Sequence, residues 1–253
     1  MAKEKIALAL CSHPDDAEFT CTGTLALLGQ KGWKIHIATM TPGDCGSAEL
    51  GPEEISAVRR KEGANSAAVL KGAYHCLESR DCFIAIDKPT ILKAVELMRK
   101  VRPSLVFTHS PSDYFLDHEV TSTLVRHVVF IASVPNIKTK GFEPTNATPH
   151  LYYVDALEGK DIFGKPIEPS IVVDISSVIK TKEKMLCCHA SQRGWLLKQH
   201  GIDEYVHLMQ ASGENRGKMI GSGFGEGFRQ HLGHAYPQDN ILASELGELV
   251  HQV

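Results

Sequence analysis

The chain has 253 residues, 43% of them hydrophobic, 23% charged and only 7% aromatic. Its 27 basic and 30 acidic side chains are intermixed and leave a net charge of −3. The basic stripe that a polyanion-binding surface needs is therefore missing, which excludes nucleic acid as an expected partner. A chain this long buries roughly 70% of its surface on folding and needs no staple to hold a core.

Ile6–Cys11 is a short continuous apolar run, as expected of a strand buried on both faces. It is too short for the core of a signal peptide, and no other run approaches the length of a bilayer span. The sequence thus predicts a cytoplasmic protein with no membrane segment. Residues 17–31 read as a helix with Leu25, Leu27 and Leu28 on one side and Gly32 as its stop. A strand is expected over Lys34–Met40, then a turn-rich loop from Thr41, then a helix over Pro52–Leu70 with Glu53 and Glu54 in its first turn. Strand-like stretches at Tyr74–Leu77 and Phe83–Ile86 precede a helix at Thr90–Val101, with Thr90 as its N-cap. Ser104–His109 is a further apolar strand, followed by a Pro/Ser/Asp loop and a helix over about 118–133. Strands at Leu151–Val154 and Ser170–Ile175 and helices at 177–190 and 203–220 complete the pattern.

This alternation predicts right-handed βαβ crossovers in one Rossmann-like three-layer α/β/α domain with a mostly parallel sheet, spanning 1–253. The glycine-rich stretch from Gly221 to Gly227 reads as a hinge to a C-terminal arm over 221–253. Seven cysteines (Cys11, Cys21, Cys45, Cys76, Cys82, Cys187 and Cys188) form no even framework and no C-x-x-C. Zinc ribbons and thioredoxin-like pairs are set aside, and reduced, partly buried thiols are expected.

Ligands of open parallel sheets bind beyond the carboxyl ends of the strands. The loop after the first strand lacks G-x-G-x-x-G and offers His13, Asp15, Asp16 and Glu18 instead, which removes a dinucleotide fingerprint. The loop after Ser104–His109 offers His109, Asp113, Asp117 and His118. On the first segment alone, Asp15 or Asp16 as a plain helix cap competes with a metal site. Two His/Asp clusters above one sheet edge favour a mononuclear metal site with an open position. His118-Glu119 fails as a metalloprotease H-E-x-x-H because residue 122 is serine.

His13-Pro-Asp-Asp-Ala-Glu18 and Asp113-x-x-x-Asp117-His118 resemble the paired motifs of the PIG-L/LmbE family of zinc-dependent de-N-acetylases. Thr41-Pro-Gly-Asp44, Arg59-Arg-Lys-Glu62, Val173-Asp174-Ile175, Lys182 and His189-Ala-Ser-Gln192 add to the likeness over about the first 195 residues. The resemblance implies a zinc ion, or Fe2+ or another divalent first-row metal, on His13, Asp16 and His118. It implies Asp15 as general base, Asp117 orienting an imidazole and Arg59 holding substrate; Asp44 and His109 are further candidate substrate contacts. The implied reaction is hydrolysis of the N-acetyl group of an N-acetylglucosamine-type conjugate, releasing acetate. A homo-oligomer, trimer or hexamer, is implied as well.

One position departs from the pattern. Many family members carry a histidine three residues before the distal ligand, where it stabilises the oxyanion; here that residue is Phe115. Losing such a donor costs about 10²–10³ in rate. Either His109 or Tyr114 takes its place, or the substrate is another amide or acyl compound, or the protein is a metal-binding sugar sensor with little catalysis.

Overall fold

Every residue of Ile6–Cys11 (β1) is buried, and alternate side chains go to opposite cores. Ala7, Ala9 and Cys11 join one hydrophobic cluster, while Ile6, Leu8 and Leu10 join the other. That is the period-2 geometry of a strand covered on both faces. The structure is a computed structural model that describes residues 4–194 and 204–253. Its further elements are α1 (Asp16–Thr20), α2 (Thr22–Gln30), β2 (Lys34–Thr39), α3 (Pro52–Val69), β3 (Ala73–Cys76), α4 (Lys88–Val101), β4 (Leu105–Thr108) and α5 (Leu116–Ile131). They continue with β5 (His150–Val154), β6 (Ile171–Asp174), α6 (Ile179–Leu186), α7 (Glu204–Met219), β7 (Gly225–Gln230), α8 (Ile241–Leu246) and β8 (Val250–Gln252).

One eight-stranded sheet runs in the order β3-β2-β1-β4-β5-β7-β6-β8. The pairs from β3 through β5 are parallel, and the pairs that β7 makes with β5 and β6, like that of β6 with β8, are antiparallel. Six strands therefore point the same way, and the expected mostly parallel α/β architecture is observed. The chain leaves β1 toward β2 on one side and reaches β4 on the other. The loops after β1 and β4 thus flank the topological switch point, where open sheets bind their ligands.

Three local expectations are corrected. The helix expected over 17–31 is broken at Cys21 (φ −143°), where α2 starts afresh. The cause lies some two hundred residues away: Glu226 accepts from Gly23 N–H (2.8 Å), Thr24 N–H (2.7 Å) and the Thr24 hydroxyl (2.6 Å), capping the new N-terminus. Phe83–Ile86 forms no strand, and Phe83 is 68% exposed. The helix after it is capped by Asp87, which accepts from Thr90 N–H, rather than by Thr90.

The segment 221–253 is not an arm. Its strand β7 lies between β5 and β6 inside the sheet, and β8 pairs with β6. Glycine serves close packing here: a Cβ on Gly217 would meet the backbone of Ser222, Gly223 and Phe224 at 2.7 Å, so α7 and the turn into β7 could not approach as they do.

Candidate metal centre and cavity

The tight turn after β1 sets the site. Asp15 has φ +111°, a conformation that costs a non-glycine residue roughly 1–3 kcal/mol and is held only by its surroundings. That turn sends adjacent carboxylates apart. Asp16 folds back so that its Oδ2 accepts from the His13 N–H at 2.7 Å, while the Asp15 carboxylate accepts from the Tyr205 hydroxyl at 2.6 Å and from Arg59 Nη2 at 3.4 Å.

His13, Asp16 and His118 are all buried, and their ligand atoms lie within 4.8 Å of one another. His13 Nδ1 is 3.4 Å from Asp16 Oδ2, and His118 Nε2 is 3.5 Å from Asp16 Oδ1. Two imidazoles and a carboxylate converging from the segments that follow β1 and β4 form a donor set suited to a divalent first-row ion. The surrounding partners suit it too. Asp113 Oδ1 lies 3.0 Å from His118 Nδ1, fixing that ring with its other nitrogen turned toward Asp16. His13 Nε2 faces Asp81 Oδ1 at 3.0 Å and Asp117 Oδ2 at 3.3 Å. His13, Asp81 and Asp117 form a second close group of donors, and His109, Asp113 and His118 a third.

Electrostatics follow from this crowding. Burial opposes a charged His13, but the carboxylates of Asp117, Asp16 and Asp81 outweigh it and hold its pKa well above the ordinary value. Burial likewise opposes a charged Asp16, yet His118 and His109 hold its pKa well below the usual carboxylate range. The carboxylates that favour a cationic His13 would favour a metal cation for the same reason. Asp15 moves the other way: burial raises its pKa, and the Arg59 guanidinium only partly offsets that. The two neighbouring carboxylates are thus shifted in opposite directions by their surroundings.

A cavity of about 660 Å³ opens over this group. His13, Asp15, Asp16, His118, Arg59 and Phe115 line it on the metal side. Asp155, Glu158, Lys182 and Arg216 add polar side chains to the lining.

Two expected substrate contacts are absent from the described lining. His109 is 2% exposed and sits behind the donors: its ring stacks on His118 (4.0 Å, 6°), and its Nε2 accepts from Ser12 N–H at 2.9 Å and lies 3.0 Å from Asp16 Oδ2. It packs and orients the centre. Asp44 accepts from Asp81 N–H at 2.8 Å and so supports the loop that carries Asp81. Arg59 reaches the cavity from α3, anchored on the Pro14 carbonyl at 2.6 Å. Phe115 lies flat on His13 (5.2 Å, 10°) and is an apolar wall. Tyr114 lines the cavity edge-on to His118 (5.6 Å, 86°).

Asp81 and Tyr205 were missed by sequence reasoning. Asp81 follows a strand-like stretch, the same positional signal that singled out His13 and His109, but the strand assigned to Phe83–Ile86 obscured it. No signal in the sequence marks Tyr205, whose hydroxyl meets Asp15 across 190 residues of chain.

Residues 8–129 match the family model described as PIG-L, GlcNAc-PI de-N-acetylase. The fold matches that of N,N'-diacetylchitobiose deacetylase from Pyrococcus horikoshii with a TM-score of 0.77, at 25% identity over 94% of this chain and 88% of that one. Residues 8–129, a little under half of the chain, thus carry the similarity to the PIG-L/LmbE family. Among the chain's relatives are deacetylases, such as the probable N-acetyl-alpha-D-glucosaminyl L-malate deacetylase 2 of Bacillus anthracis, 25% identical over 76% of this chain and 83% of that protein. The 4-oxalmesaconate hydratase of Pseudomonas putida is similar as well, 25% identical over 86% of this chain and 83% of that protein. The similarity thus extends to both deacetylases and a hydratase and does not fix the reaction. No helix among the described residues is long and apolar enough to cross a membrane.

Proposed function

We propose that this protein is a zinc-dependent hydrolase that removes the N-acetyl group from an N-acetylglucosamine-type conjugate, with Fe2+ or another divalent first-row ion as substitute metal. The observation that carries this reading is the buried His13/Asp16/His118 triangle with a separate carboxylate, Asp15, beside it on the same cavity wall. A divalent ion held by the triangle would supply Lewis-acid activation of water and polarisation of a carbonyl.

The remaining work belongs to the chain's own residues. Asp15, its pKa raised by burial, takes a proton from the attacking water and returns it to the departing amine. Arg59 and the Tyr205 hydroxyl keep that carboxylate aimed. Tyr114 stands nearest to the histidine that Phe115 replaces. Its phenol is held protonated by burial and by the charge of Asp16, which suits it as a hydrogen-bond donor to developing negative charge. The polar side chains of Asp155, Glu158 and Arg216 in the lining suit the hydroxyls of a sugar. The expected setting is the cytoplasm and the expected assembly a homo-oligomer, trimer or hexamer, to be read by analytical ultracentrifugation.

A second reading, hydration of a carbon–carbon double bond in an unsaturated acid, is favoured by the apolar Phe115 on His13 together with the similarity to the hydratase. The same base would serve it, with no amide to cleave. The test is a panel of N-acetylated amino sugars and conjugated unsaturated dicarboxylates offered to metal-loaded protein. Acetate release that Asp15→Asn abolishes supports the hydrolase. Loss of conjugated absorbance with no acetate in any reaction supports the hydratase and contradicts the first reading.

A further inference from the structure

Two exposed cysteines stand together on the rim of the cavity, and nothing in the proposed reaction uses them. Cys45 lies in the loop after β2 and Cys82 in the loop after β3, so adjacent parallel strands deliver both to one edge of the site. Both thiols close on the same residue. Cys45 Sγ lies 3.5 Å from the Asp81 carbonyl oxygen, and Cys82 Sγ lies 3.6 Å from Asp81 Oδ1. Cys82 is also among the side chains that act directly on the Cys45 thiol.

The arrangement is held rather than incidental. Cys82 has φ +65° in a loop where Glu78 also has positive φ (+56°), strain that β-carbon-bearing residues avoid unless contacts fix them. Those contacts are present: Cys82 N–H donates to Asp117 Oδ2 at 2.8 Å, Cys45 N–H to Asp81 Oδ2 at 3.3 Å, and Asp81 N–H to Asp44 Oδ1 at 2.8 Å. The pair thus brackets Asp81, which faces His13 Nε2.

We propose that Cys45 and Cys82 are a redox-modification site on the cavity rim, closing to an intramolecular disulfide by exchange with a low-molecular-weight disulfide and thereby weakening the metal centre. In the exchange, the thiolate of one cysteine attacks a sulfur of the small disulfide and expels one small thiol. The thiolate of the other then attacks the mixed disulfide and expels the second. The protons of both cysteines leave with the expelled thiols. Both protein thiols are oxidised, one small disulfide is reduced to two thiols, and no other oxidant is needed. The new bond ties the two loops together around Asp81. The effect on the metal rests on the reading of His13 as a ligand; the formation of the bond does not.

The test treats the full chain with glutathione disulfide at mildly alkaline pH and maps thiols by peptide mass spectrometry. The expected result is a linked peptide pair joining Cys45 to Cys82, with two hydrogens lost and reversal by dithiothreitol. Cys45→Ser and Cys82→Ser, each a substitution at an exposed site, should stop at a single glutathione adduct on the remaining cysteine. Independent adducts on both cysteines of the unaltered chain, or no reaction at either, would overturn the site. Cobalt(II) titration followed by its visible absorption gives the second readout, with an expected loss of affinity of about tenfold on oxidation, the scale of perturbing a ligand's partner. Equal cobalt affinity in both forms would overturn the regulatory role. Absence of cobalt binding even in the reduced protein would contradict the metal assignment, and is separable from the peptide map.

Discussion

The Tyr205 hydroxyl donates to Asp15 Oδ2 at 2.6 Å, which couples the first turn of α7 to the strained turn after β1. A phenol held this close stabilises the carboxylate over the acid and lowers a pKa that burial raises. Tyr205→Phe is therefore expected to raise the pKa of Asp15. A base must be ionised to act, so the acidic limb of the kcat/KM profile should move to higher pH, with a loss of about tenfold on the acid side. Rate profiles of the two proteins check this; an unmoved limb would mean that Asp15 is not the group being titrated.

Asp113 holds the His118 ring through Nδ1 at 3.0 Å and is almost fully buried. Asp113→Asn should weaken metal binding by about 10–100-fold while the protein still folds. Competition with a chelating dye measures this, and unchanged affinity would remove His118 from the ligand set.

Lys182 donates to Glu226 at 2.5 Å, and both side chains are buried, 2% and 3% exposed. Removing one member of such a pair leaves a buried charge uncompensated, typically at about 3–5 kcal/mol. Glu226 also accepts from Gly23, Thr24 N–H and the Thr24 hydroxyl, so Lys182→Met should fall near the lower end, about 3 kcal/mol. The shift in urea unfolding midpoint at constant slope reports it.

His36 and His75 stack on adjacent strands, with ring nitrogens 2.9 Å apart and planes within 4°. Burial and the neighbouring imidazole push His75 down to about 4. The unfolded chain, with an ordinary histidine near 6.5, takes up its proton first as pH falls. The stabilising contribution is thus complete above about 6.5 and is lost progressively down to about 4. The ring is only half-buried, so solvent screening discounts the effect to on the order of 1–2 kcal/mol. His75→Gln should flatten that part of the stability–pH curve, as read by urea titrations at several pH values.

The fold was legible wherever a strand's own side chains fill both cores, as in β1, or a helix carries its own stop. It was not legible where a distant group decides the local structure. Glu226 restarts a helix at Thr22, and β7 inserts between β5 and β6 although its residues read as a glycine hinge. The same division runs through the site. His13, Asp16 and His118 stand in compact motifs in the segments that follow β1 and β4. Asp81, Tyr205 and the inward role of His109 exist only once separate loops have met.

The account depends most on one cation shared by His13, Asp16 and His118. Anomalous diffraction from crystals of zinc-loaded protein, with data on both sides of the zinc edge, tests it directly. The prediction is one strong peak within about 2.0–2.2 Å of an imidazole nitrogen from each histidine and an oxygen of Asp16. No peak there, or a peak confined to His13, Asp81 and Asp117, would contradict it.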